Sequence, residues 1–139
     1  MLNHIINGKL YNNYDDNDKN FFGFYSITVN DNYKNLVLLI ETSQNGFIRI
    51  WDFHLGNLIK KIITNFIVKC ICLLNNYTLI VGCMNCSIKL INIIKAEINY
   101  EVIAHTKEIN SIEKIFIDDS RLYILSQGFD ERINLWEYK

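Results

Sequence analysis

Proline is missing from this chain of 139 residues, glycine occurs six times and tryptophan twice. The missing proline, together with abundant Asn, Ile, Lys and Tyr, is the mark of AT-rich codon usage, in which Asn stands in for Asp and Ile for Val. Positions are therefore read by pattern rather than by strict motif. No stretch reaches the roughly 18 to 20 uninterrupted apolar residues of a membrane-spanning helix. The opening MLNHIINGKLYNNYDD lacks the basic-then-apolar order of a signal peptide. A soluble, intracellular chain is expected, cytoplasmic or nuclear, with no membrane partner. Its fourteen basic residues are scattered and the formal net charge is −1, which gives no electrostatic footprint for nucleic acid or anionic lipid. Four cysteines without a secretory signal read as reduced thiols. A phosphate-cradling Gly-rich loop, paired catalytic carboxylates and an HExxH-like helix are all missing, and no cofactor is expected.

What is present is apolar and periodic. Half of the residues are hydrophobic, enough for a core of ordinary size in a chain about one domain long. Three segments align with one another: LLIETSQNGFIRIWD, ending at Asp52; TLIVGCMNCSIKLIN, ending at Asn92; and LYILSQGFDERINLWE, ending at Glu137. In each, a turn residue (Asn45, Asn85 or Asp130) precedes an alternating strand whose last apolar residue is Trp51, Ile91 or Trp136. Trp51 and Ile91 are 40 residues apart, and Ile91 and Trp136 are 45 apart, within the ~40 to 45 residue period of a four-stranded propeller blade.

The intervening runs, such as FFGFYSITV, LVLLIET and LIKKIIT, are of strand length and rich in β-branched and aromatic residues. Hairpin turns are expected at Asp31, Asn32 and Tyr33, at Asn75 and Asn76, at Asp118, Asp119 and Ser120, and around Gly56. The polar run NNYDDNDKN over 12–20 reads as a surface loop or linker, and HIINGKLY before it as a short hairpin or one orphan strand. The expected divisions are an N-terminal strand or linker at 1–20, then repeats at about 21–64, 65–103 and 104–139.

These residues resemble the WD40 repeat family. Trp51-Asp52 and Trp136-Glu137 sit where that family's Trp-Asp ends a third strand, and Ala104-His105 sits where its Gly-His opens a repeat. The resemblance implies an all-β fold of four-stranded antiparallel blades. By position it also implies a buried hydrogen-bonded tetrad of His105, Ser126, Asp130 and Trp136. The indole would donate to the hydroxyl, the hydroxyl to one imidazole nitrogen, and the other imidazole N–H to the carboxylate. The first two repeats, with Asn45, Asn85 and Ile91 at signature positions and no matching His, are expected to rely on apolar packing alone. Closed propellers have about 4 to 8 blades, so about three blades make an incomplete ring. The stop after NLWEYK is expected to be a propeller C-terminus without its fourth strand. Self-association or additional blades would close the ring.

Two other constellations carry chemistry of their own. His105, Ser126 and Asp130 could suggest a Ser-His-Asp hydrolase, but nothing near Ser126 resembles a Gly-x-Ser-x-Gly nucleophile elbow, and the structural tetrad is preferred. Cys70, Cys72, Cys83 and Cys86 superficially resemble a zinc site, against the preferred reading of small buried hydrophobes. His4 and His54 are expected at the surface, and Trp51 in the core. No catalytic or metal residue is assigned.

A non-enzymatic scaffold is the expected function, holding other proteins or peptides through its blade-edge loops. Arg49, Lys89, Lys107, Glu108 and Arg132 are the polar contact residues it would use. The alternative is a regulatory C-terminal fragment of a larger enzyme such as a protein kinase, since the resemblance implies that such blades also occur fused behind catalytic domains.

Overall fold

The structure, a computed structural model, describes residues 24–43 and 46–139, with 24–33 described by backbone alone. The expectations for 1–20, His4 and Asn45 lie outside the described residues. Eleven strands are described: β1 Phe24–Tyr33, β2 Leu36–Ser43, β3 Phe47–Asp52, β4 Leu58–Ile63, β5 Val68–Asn75, β6 Thr78–Cys83, β7 Ser87–Asn92, β8 Glu97–Ile103, β9 Ile109–Asp118, β10 Arg121–Gly128 and β11 Ile133–Tyr138. They form three antiparallel sheets, β1-β2-β3-β4, β5-β6-β7-β8 and β9-β10-β11, each a meander in chain order. No helix among the described residues is long and apolar enough to cross a membrane.

Strand alternation decides which sheet faces which. In β6, Leu79, Val81 and Cys83 point toward the first sheet and join Leu38, Ile40, Ile48 and Ile50 in one core. Ile80 points the other way and joins Cys70, Ile88, Ile109, Ile112 and Ile124 in a second core shared with the third sheet. From Leu79 to Cys83 the strand is apolar throughout because the middle sheet is covered on both faces. Each side chain buried in this way contributes about 1.5–3 kcal/mol. Gly82, between two of those core residues, has a further role. A Cβ there would lie 2.5 Å from Cys70 Sγ and 2.6 Å from Ile109 Cγ2, so the second and third sheets approach over a bare backbone.

The turns show the same repeat. After β3, Asp52 Oδ1 accepts the N–H groups of His54 (2.9 Å) and Leu55 (2.8 Å), and the N–H of Gly56 bonds to Asp52 O at 2.9 Å. After β7, Asn92 does the same work: its Oδ1 accepts from Ile94 (2.9 Å) and Lys95 (3.0 Å), and the N–H of Ala96 bonds to its carbonyl at 2.8 Å. Asn76–Tyr77 and Asp119–Ser120 turn where expected.

The first hairpin differs from expectation. Asp31, Asn32 and Tyr33 remain in β1, and the turn falls on Lys34 and Asn35, both at positive φ (46° and 64°). Tyr33 pairs with Leu36, so only two residues connect the strands, and a two-residue loop needs left-handed backbone, which Asn tolerates.

Candidate functional site

The densest polar constellation among the described residues lies at one end of the third sheet. His105 is anchored before β9 by the second sheet's tight turn, where Cys86 O accepts the N–H groups of Ala104 (2.9 Å) and His105 (3.2 Å). Asp130 sits in the β10–β11 turn and Ser126 on β10, and Trp136 pairs with Ile124 from β11. Trp136 Nε1 lies 2.9 Å from Ser126 Oγ, Ser126 Oγ lies 2.8 Å from His105 Nε2, and His105 Nδ1 lies 2.9 Å from Asp130 Oδ1.

For a neutral imidazole the donor inventory gives one consistent set of directions. An indole only donates, so the Ser126 oxygen accepts from it and gives its single proton to Nε2. The imidazole then carries its hydrogen on Nδ1 and donates it to the carboxylate.

Asp130 also accepts the backbone N–H of Thr106 at 2.9 Å and that of Arg132 at 3.2 Å. These bonds, the Thr106 amide first and His105 after it, outweigh desolvation and hold the Asp130 carboxyl down to about 2. Gly128 makes room for the arrangement. A Cβ there would stand 2.6 Å from His105 Nδ1 and 2.8 Å from Asp130 Oδ1. Ser126 is only 1% exposed and both imidazole nitrogens are engaged. The Ser126 hydroxyl is buried and bonded to both Trp136 and His105, and the four residues clamp the turn by these bonds.

Trp136 is half-buried and packs against the core between the second and third sheets. Its counterpart Trp51 is 2% exposed. Asn85 stands in the tight turn of the second sheet, where its Oδ1 accepts the Ser87 hydroxyl at 2.7 Å. Ile91 is packed in the core between the first two sheets.

The first two sheets do not rely on apolar packing alone, and two of the expected contact residues are interior. Arg49 is fully buried and donates to Glu41 Oε1 at 3.1 Å and to Ser43 Oγ at 2.8 Å. Glu41 is its direct cross-strand neighbour and takes the register position that Ser126 holds in the third sheet. Lys89, also buried, pairs with Glu101 across β7 and β8 and lies over the Phe66 ring at 4.7 Å. The Lys89 ammonium, by hydrogen bond and by charge, holds Glu101 below the usual carboxylate range. Both pairs were available from hairpin counting, since strands joined by a short turn bring opposite charges face to face. Lys107 and Arg132 are exposed, and Glu108 lies 3.8 Å from Lys69.

The four thiols are free: Cys70 lies in the second core with Cys72 packed against it, and Cys83 lies in the first. Burial pushes Cys70 up to about 12 and Cys83 to about 11, and raises Cys72 as well. No group of three or more metal-type side chains assembles among the described residues. His54 is exposed beside Phe53.

At the level of sequence, no family model and no curated protein matches the chain. Among solved structures it is similar to Sqt1 of Saccharomyces cerevisiae, with a TM-score of 0.66 and 13% identity over 84% of this chain. The chain spans 31% of that solved chain's length. Among the described residues the fold is all-β, with three antiparallel sheets arranged as WD40-type propeller blades.

Proposed function

We propose that the chain is a non-catalytic, intracellular scaffold that holds other proteins or peptides within a multi-subunit assembly. The observation that carries this reading is the outer face of the third blade. Ile133 is 70% and Leu135 61% exposed there, with Leu125 paired to Leu135 beside them. In the second blade the equivalent side chains, Ile88, Leu90 and Ile80, pack against the next blade. Apolar side chains grouped on one sheet face mark a surface that binds protein. The clamp supports the same reading, because it engages the Ser126-His105-Asp130 set in holding a turn.

The test is recovery of the full chain with its neighbours from its source cells, alongside a variant with Ile133→Glu and Leu135→Glu. Both positions are exposed, so the variant should melt as the parent does. A protein partner held in fixed stoichiometry by the parent and lost by the variant is expected. A partner retained equally by both would place binding elsewhere, and hydrolytic turnover lost with Ser126→Ala would contradict the non-catalytic reading.

A further inference from the structure

The geometry points to a pocket at the junction of the first and second blades that takes the C-terminal residue of a partner polypeptide, an aliphatic side chain together with its α-carboxylate. This rests on the scaffold reading only in taking the ligand to be a polypeptide, and the pocket is separate from the exposed face at Ile133 and Leu135.

The pocket lies where the start of β2 and the β7–β8 turn meet β4. Leu38, Ile50 and Ile93 form its floor and belong to the core between the first two sheets. Leu36, Ile59 and Ile94 form its rim and are 41%, 50% and 42% exposed, so its mouth is open. Its volume is about 130 Å³. An apolar cavity of ~150 Å³ holds a benzene-sized guest, so one branched aliphatic side chain fits and the rest of a ligand continues outside.

Lys60 lines the same pocket, and its Nζ donates to Ile93 O at 3.2 Å and to Ile94 O at 2.5 Å. The two carbonyls hold the ammonium at the rim without neutralising it. An ammonium has three donors, so one is left, and no carboxylate among the described residues pairs with Lys60. An apolar pocket with a fixed cation in its lining selects an amphipathic anion, the cation orienting what the apolar walls hold.

Because the cation is part of the lining, the anion must lie within a few bonds of the apolar group. A C-terminal Leu, Ile or Val meets this condition, since its side chain and its carboxylate leave the same Cα. An Asp or Glu next to an internal aliphatic residue does not, because neighbouring side chains of an extended chain point to opposite faces. The blades do not require this lysine. Lys60 pairs with Ile50, and at the corresponding place in the second blade Tyr100 pairs with Leu90. Ile59 on the rim corresponds in the same way to Asn99. The fixed cation and its apolar rim are therefore particular to this junction.

The probe is N-acetyl-leucine, which reproduces a C-terminal leucine, titrated into the isotope-labelled full chain and followed by amide chemical shifts. Saturable shifts centred on Leu36, Ile59, Lys60, Ile93 and Ile94 are expected. N-acetyl-leucine amide, which lacks the anion, and N-acetylglycine, which lacks the side chain, should each bind about tenfold more weakly or worse. Lys60→Gln should weaken N-acetyl-leucine to the level of its amide and leave binding of the amide unchanged. The comparison of ligands on the unaltered chain keeps the test decisive should that variant fold poorly. No saturable shift, shifts centred elsewhere, or equal binding of the amide overturns the inference. So does tighter binding of isocaproate, the same side chain and carboxylate without a peptide group, which would make a free carboxylic acid the ligand. None of these outcomes alters the capture experiment on Ile133 and Leu135, so the pocket and the scaffold reading fail separately.

Discussion

Trp136 Nε1 donates a hydrogen bond to the Ser126 hydroxyl at 2.9 Å, and with a neutral imidazole the donation runs on through His105 to Asp130. A group of residues that could be mistaken for a catalytic triad thereby has its hydroxyl, both imidazole nitrogens and its carboxylate engaged. Its job is to hold the β10–β11 turn against the end of the second blade.

Removing the middle of the clamp is the first check. His105→Ala should lower stability by about 1–3 kcal/mol, because it leaves the Ser126 and Asp130 acceptors and donors without their partner. Denaturant melts of parent and variant measure it, and an unchanged midpoint would mean the clamp holds nothing.

Acid should loosen the same turn. The Asp130 carboxyl is depressed to about 2 from an ordinary value near ~3.9. Its contribution is therefore fully present above pH ~4 and is lost as the pH falls through about 2. Asp118 is depressed similarly by Arg121 and Ser120 but is exposed, so solvent screening leaves it a smaller share. Denaturant midpoints measured from pH 5 to 2 should fall less steeply for Asp130→Asn than for the parent, and Asp118→Asn should change the slope little.

The thiols should divide by burial. Cys70 and Cys83, raised to about 12 and 11, remain protonated near neutrality, where the thiolate is the reactive form. Cys86, half-exposed in its turn, should alkylate first in the native chain, as read by peptide mass spectrometry. Their raised values also mean that stability holds below pH ~9 and is lost as the pH climbs toward 12. Early labelling of Cys83 would show that the first core is open.

Two glycines should resist substitution. Gly82→Ala and Gly128→Ala each push a methyl group within 2.6 Å of a neighbour, an overpacking that costs about 1–3 kcal/mol. The Gly128 variant should also displace the His105 ring, visible as a changed imidazole resonance. A Gly128→Ala protein with parental stability and spectrum would mean the turn is looser than described.

The blade pattern was legible because alternation and turn chemistry are local properties. Trp51, Ile91 and Trp136 mark equivalent strand positions, and the polar residues between the runs mark most of the turns. Asp52 and Asn92 are alike only once their shared turn is seen. The close approaches at Gly82 and Gly128 were invisible, since each depends on atoms from a strand or loop distant in sequence. Arg49 and Lys89 misled for a different reason. A charge in a strand ordinarily faces water, and here each is buried by pairing with a carboxylate across a hairpin.

Hydrogen exchange on the full chain, alone and within its captured assembly, tests most directly whether the third blade is the binding end. Alone, the amides of β6 should exchange slowest and those of β11 among the fastest of the strands; in the assembly, β11 should gain protection while β6 stays unchanged. A β11 already as slow as β6 in the free chain, or one that gains nothing while protection appears elsewhere, would contradict the account.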